Sequence, residues 1–222
     1  MDVCKQLFSK FKDLIRHMVR KTKLDAELTR QRIIDAAREV FLARGVSRST
    51  LEHIATQADV TRGAVYWHFK NKTEIFHALR DQVFLPLIDR MDDTLAVESS
   101  DDALTQIEKS LCDTVHELNA NIEMRQTYEI MMMKCEYVDE FATVLQQILD
   151  NCTNITDKFE LAYGRAKVQH IIAQSHSPRA QALDTHLFFS GLLHMWVKDI
   201  DGSKFRFQAT ELIKSHINLR RK

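Results

Sequence analysis

The sequence predicts an all-α fold, with short helices at the front and longer ones behind. Only 5 Gly and 2 Pro occur in 222 residues, too little punctuation for the many tight turns of a sandwich or barrel. Apolar residues recur at spacings near 3.6, and no strand alternation persists. A composition 45% hydrophobic and 28% charged supplies a proper core and excludes wholesale disorder.

Taken in order, residues 1–17 place Leu7, Phe8, Phe11, Leu14 and Ile15, followed by Met18, on one helical face, with Lys5, Lys10, Lys12 and Arg16 elsewhere. Charges interrupt any signal-peptide core. An amphipathic surface helix, a frayed appendage and a true start at Met18 all fit this stretch. From Asp25 to Arg44, a stripe of Leu28, Ile33, Ala36, Ala37, Val40 and Phe41 predicts a helix, with Gly45 as its stop. Ser47, Ser49 and Thr50 offer N-cap chemistry for Leu51–Ala58, which carries a second stripe. Asp59-Val60-Thr61 breaks it, and a third helix runs from Arg62 to Phe69 with Thr61 as cap. Beyond Asn71 the expected helices are Lys72–Met91, Asp101–Asn119, Met124–Cys135, Val138–Tyr163, Pro178–Lys198 and Phe205–Asn218. Pro86 lies inside the first of these and predicts either a kink or a gentle bend.

The two short helices make a helix-turn-helix candidate. Ala55 is the small residue at the crossing, Ile54, Val60 and Val65 are the apolar ones beneath it, and Asp59 tolerates a left-handed turn. The second helix then exposes Arg62, Ala64, Tyr66 and His68. In a major groove, Arg bonds guanine in bidentate fashion, and Ala or Thr touches a thymine methyl. Tyr66, His68, Lys70 and Lys72 suit phosphate oxygens, and Thr50 opens a helix N-terminus of the kind that attracts phosphate. Trp67 and Phe69 are expected in the core with Val65. The competing reading is an ordinary two-helix corner.

Charge favours the first reading. The net charge is zero, yet residues 1–80 hold 16 Lys and Arg against 9 Asp and Glu, and residues 81–222 hold 15 against 22. A basic front joined to an acidic remainder fits nucleic-acid contact by one part only. It excludes an architectural DNA protein, whose charge would cover most of the surface. An enzyme is not expected. No phosphate loop or G-x-S-x-G occurs, and His186 and His194 lack a third ligand at metal spacing, so neither metal nor cofactor is anticipated. Cys4, Cys112, Cys135 and Cys152 form no C-x-x-C pair, which fits reduced thiols and a cytoplasmic location. No apolar run is long enough for a membrane span.

The stretch from Gly63 to Lys72 (Gly-Ala-Val-Tyr-Trp-His-Phe-Lys-Asn-Lys), preceded by Ile54-Ala55 and Val60-Thr61-Arg62, resembles the DNA-binding signature of the TetR/AcrR family of bacterial transcription regulators. Met18–Lys23, Lys134-Cys135-Glu136 and Ser190–Trp196 are similar to AcrR-like repressors of multidrug efflux pumps. The likeness therefore spans Met18 to Asn218. It implies a homodimer on a palindromic DNA operator, with helix-turn-helix residues 18–71 and a larger ligand-binding and dimerisation domain over 72–222. Thr50, Thr61, Arg62, Gly63, Tyr66, His68 and Lys72 become operator contacts by analogy. Two departures stand out: Asp59 replaces the usual Gly, and residues 1–17 have no counterpart.

For the ligand, Ile130-Met131-Met132-Met133 is the most unusual run. Methionine is flexible and polarizable, and recurs on surfaces that accept varied apolar ligands. With Phe84, Leu111, Val115, Tyr128, Phe141, Leu145 and Phe188 it would line a cavity for a small hydrophobic or cationic inducer. Glu123, Glu129 and Glu136 either attract a cation or sit solvated. Phe189, Leu192, Leu193 and Trp196, with Leu212, Ile213 and Ile217, are expected at a four-helix dimer interface, since the first group is too apolar for a solvent face. Monomer core is the other reading of these side chains. A TetR-type regulator of metabolic or stress genes, sensing a metabolite, is the alternative to an efflux repressor.

Overall fold

The computed structural model describes residues 3–96 and 101–222, with side chains described from Lys23 to Leu95 and from Asp101 onward. The first helix, α1 (Val3–Arg44), runs on through the stretch whose apolar stripe was read above; those side chains lie outside the described residues. Packing begins at Ile33 and Ile34, both fully buried, and continues through Ala37 and Phe41. Leu28, expected on the buried stripe, is exposed. It precedes the first residues that meet another helix. Gly45 ends α1 at φ 78, where its N–H reaches the Phe41 carbonyl at 2.9 Å. A residue with a Cβ is strained there.

Two seven-residue helices follow, α2 (Leu51–Gln57) and α3 (Arg62–His68). Next comes α4 (Lys72–Ala96), longer than expected and unbroken at the exposed Pro86. Asp102 caps α5 (Ala103–Ala120), its Oδ1 accepting from the Leu104 and Thr105 N–H groups at 2.9 Å each. Asn121 caps α6 (Ile122–Glu129) in the same way.

The single helix expected over Met124–Cys135 is in fact α6 followed by a π-helical turn, Ile130–Lys134. The Met131 carbonyl accepts the Tyr137 hydroxyl at 2.7 Å, and that of Lys134 accepts the Val46 N–H at 2.8 Å. Carbonyls at the end of this segment thus find partners outside their own helix. A 3₁₀ turn (Asp139–Phe141) leads into α7 (Ala142–Val168). Then come α8 (Pro178–Lys198), with Pro at its first position and Ser177 as cap, a second 3₁₀ turn (Arg206–Gln208), and α9 (Ala209–Asn218).

Two apolar cores result. The head core joins α1, α2, α3 and the start of α4, but also takes Ile130, Met131, Phe141 and Val144 from beyond α6. The second core gathers α4 to α9 around Leu104, Ile107, Phe159, Tyr163 and Trp196. Phe84 and Met132 pack against both. Ile75, Phe76 and Leu79 are head residues, so a boundary at 71 cuts through the head core. Among the described residues no helix is long and apolar enough to cross a membrane, and no group of His, Cys, Asp or Glu is arranged to hold a metal ion.

Candidate nucleic-acid interface

The corner between α2 and α3 is built by its caps. Thr50 Oγ1 accepts the His53 N–H at 3.2 Å, while the Thr50 N–H donates to His53 Nδ1 at 3.3 Å, a reciprocal pair at the start of α2. Thr61 Oγ1 accepts the Ala64 N–H at 3.1 Å and starts α3. Between them Asp59 takes φ 50, the left-handed conformation the sequence demanded of it. Arg32 of α1 fastens this turn by donating to the Ala58 carbonyl at 2.7 Å and to that of Asp59 at 3.3 Å. Beneath the corner, Ile54, Ala55, Val65 and Phe69 are buried.

The outer face of α3 carries Arg62, Gly63, Tyr66 and Trp67, all exposed, with Ala64 and His68 half-buried. Arg62 is held ready: Nη1 lies 2.8 Å from the Glu52 carboxylate, Nη2 donates to the Tyr66 hydroxyl at 3.3 Å, and the guanidinium lies 5.3 Å from the Tyr66 ring centre. Burial, with the nearby Arg30, lowers the pKa of His68 and so favours its uncharged imidazole. Lys70 is exposed, its ammonium 4.0 Å from Glu74. Lys72 differs, turning inward onto the Ser47 carbonyl at 3.3 Å and Glu140 at 3.7 Å.

Trp67 corrects the expectation of a core aromatic. It is 73% exposed, meeting the His68 ring edge-on at 4.4 Å. On a helix, Val65 and Phe69, four residues apart, share a face, and a residue midway points away. No sequence argument flagged Trp67 as a surface group, although that spacing contained the answer.

The side chains expected around a ligand do not come together as one set. Phe84 stacks on Tyr128, with ring centres 6.3 Å apart and planes 22° apart, and Leu111 and Val115 lie buried in the same core. Met132 joins them from the junction. Met131 and Phe141 belong instead to the head core, where Phe141 meets Phe76 edge-on at 5.4 Å. The π turn inserts an extra residue and re-aims the side chains that follow it. Leu145 is exposed on α7, and Phe188 lies flat against His216 with ring centres 3.7 Å apart. Burial lowers the His216 pKa to about 4, with Arg220 adding to the effect. Glu123 pairs with Arg38 at 3.5 Å and Glu129 with Lys134 at 3.9 Å, while Glu136 is exposed. A cleft of about 140 Å³ that the sequence did not indicate opens between α4 and α5, lined by Leu87, Arg90, Met91, Asp93, Thr94, Ser110, Asp113 and Thr114.

The expected interface residues divide similarly. Trp196, Ile213 and Ile217 are fully buried, and Leu192 and Leu193 nearly so, all within the chain's own core, so these five offer a partner almost no surface. Phe189 is partly buried against that core, and Leu212 is exposed. A helix apolar nearly all round conceals which side faces in. The outward stripe of α8 is Leu183, Leu187 and Met195, with Gly191 open between them.

Similarity to known proteins accords with this geometry. Residues 33–79 match the family described as bacterial regulatory proteins, tetR family, and residues 102–221 match the C-terminal region of MAATS-type transcriptional repressors. The HTH-type transcriptional regulator TtgR of Pseudomonas putida is 36% identical over 184 residues, covering 81% of this chain and 85% of that protein. NalD of Pseudomonas aeruginosa, the secondary repressor of the MexAB-OprM multidrug efflux pump, superposes with TM-score 0.77 at 30% identity over 87% of this chain and 96% of its own. SmeT in complex with triclosan, the repressor of the Stenotrophomonas maltophilia pump SmeDEF, gives TM-score 0.75 at 28% identity over 88% and 92%. With family models covering both parts of the fold and the signature of α3 intact, the chain belongs to the TetR/AcrR family of bacterial transcriptional regulators, which are not enzymes.

Proposed function

We propose that this protein is a ligand-responsive repressor of multidrug efflux genes, binding a palindromic operator as a homodimer and leaving it when an amphipathic compound binds among the C-terminal helices. The observation that carries the reading is α3. Its buried contacts are Val65 and the residue that caps its end, Phe69, and its outward side presents an arginine, a tyrosine and a tryptophan to solvent. Exposing such groups on a seven-residue helix has no packing benefit, and an arginine preorganised by Tyr66 suits a guanine edge. The starts of α2 and α3, capped by Thr50 and Thr61, and the exposed Gly63 offer backbone N–H groups beside it for phosphates, with the exposed Lys70 adding charge. Two copies would meet through Leu183, Leu187, Met195 and Leu212, the exposed apolar side of α8 and α9. The relatives named as efflux-pump repressors, one of them bound to triclosan, support the target and the ligand class.

Selection from a random duplex library, followed by footprinting with and without triclosan, tests this. The expected footprint is two inverted half-sites about one helical turn apart, or a multiple of that spacing, weakened by the ligand. Binding without sequence preference would refute the repressor reading, and protection unchanged at saturating triclosan would refute this compound as a representative inducer.

A further inference from the structure

Lys70 and Lys72 both follow the recognition helix, and the structure treats them oppositely. The Lys70 side chain is 87% exposed, that of Lys72 only 14%. Three groups hold the Lys72 ammonium. It donates to the Ser47 carbonyl at 3.3 Å, lies 3.7 Å from Glu140 Oε1, and sits 5.6 Å from the centre of the Phe141 ring. The second oxygen of Glu140 accepts the Thr73 hydroxyl at 3.3 Å, so both carboxylate oxygens are turned toward the start of α4. Glu140 itself comes from the 3₁₀ turn after the π segment, on the C-terminal side of the junction.

We infer that Glu140 is a positioning residue that competes with operator phosphate for Lys72, so that a carboxylate carried by the C-terminal part of the chain sets the strength of DNA binding. The inference rests on the operator reading above. An ammonium has three N–H donors and no acceptor. With one given to Ser47 and another directed at Glu140, one N–H is left, so a phosphate bound by Lys72 must share the ammonium's charge with Glu140. Because the lysine side chain is mostly covered, solvent screens this pair less than it screens an exposed one. Lys70, by contrast, has its ammonium 4.0 Å from Glu74 on an 87% exposed side chain, where solvent screens the pair.

The test is a double-mutant cycle read by fluorescence anisotropy on the selected operator across a salt series, using wild type, Glu140→Gln, Lys72→Gln and the double variant. Glutamine at 140 keeps an oxygen for the Thr73 hydroxyl and removes the competing charge. Glu140→Gln is expected to tighten binding about two- to five-fold, the range of a modest ion pair, and to steepen the slope of log K against log salt by up to about 0.9, the contribution of one phosphate. In the Lys72→Gln background the same change is expected to do nothing. An equal gain in both backgrounds would mean a general field effect of one less negative charge, and would overturn the inference, as would unchanged affinity and slope. Glu140→Asp serves as a second variant: it keeps the charge but draws the carboxylate back from Lys72, so a gain is expected there too, and wild-type behaviour counts against the contact. A wild-type chain that bound no duplex would sink the operator reading itself, a result distinct from any of these.

Discussion

Substituting Phe69 and Trp67 separately by Ala tests how α3 divides its two sides. Phe69 is 3% exposed, packs in the head core, and has the Arg30 guanidinium 5.1 Å from its ring centre. Removing a buried phenyl ring typically costs about 3–5 kcal/mol, combining lost burial and the cavity left behind. Trp67 keeps 73% of its surface in solvent, and its edge-on contact with His68 is the ring interaction it would lose, so its removal should cost under about 1 kcal/mol. Urea denaturation followed by far-UV circular dichroism separates these outcomes by several-fold. The large change of residue is predicted to be the mild one. Operator anisotropy on the same two variants completes the test, since Trp67→Ala should still fold and yet bind more weakly. Equal destabilisation, or a Trp67→Ala loss above about 2 kcal/mol, would refute the assignment of Trp67 to the surface.

Two further outcomes are expected. Arg62→Ala should leave the denaturation midpoint unchanged, because its pair with Glu52 is exposed, and should lower operator affinity on the order of ten-fold or more while scrambled duplex loses much less. Equal losses on both duplexes would make Arg62 a phosphate contact only. His216 predicts an acid-side loss of stability: with its folded pKa near 4 against an ordinary 6.5, the unfolded chain takes up the proton first as pH falls, so stability declines from about pH 6.5 to pH 4 and is restored as pH rises. His216→Phe, which keeps a ring against Phe188, should flatten that decline; the remainder belongs to His68, His77 and His186, which burial also pushes down. A decline of undiminished depth would refute His216 as a source.

What the sequence disclosed follows the range of the forces involved. Thr50 and Thr61 cap backbone three residues away and Asp59 acts through its own φ, so each was legible; Asn121 became so only once α6 was placed. The apolar pairing of Val65 with Phe69 was equally local, and reading Trp67 as their companion ignored that alternate residues on a helix diverge. The inward turn of Lys72 was not local, since its partner Glu140 comes 68 positions later, and nothing near Lys72 marks it as different from Lys70. In the run Ile130–Met133 every side chain is apolar, so no polar residue signalled the π turn that sends Met131 to one core and Met132 to the boundary of two. On α8 the same uniformity hid Trp196 in the core and left Leu187 outside.

The junction has a consequence for how ligand and DNA become linked. Spatial intermediacy alone is not coupling. Here, however, the head core is not closed by head residues: Ile130, Met131, Phe141 and Val144 are among its buried members, and the Lys134 carbonyl takes the N–H of Val46 just after α1 ends. A close-packed core tolerates few intermediate arrangements. Repacking of Phe84 against Tyr128, where Met132 also lies, therefore meets the head through side chains that both cores share. If a ligand binds one arrangement of these side chains better and DNA the other, that difference in affinity is the coupling free energy, and each weakens the other by the same factor. The opposite charges of the two chain segments do not supply this linkage. They localise phosphate attraction at the front, while Glu140 brings one charge of the acidic segment back to the basic one at the residue where they meet.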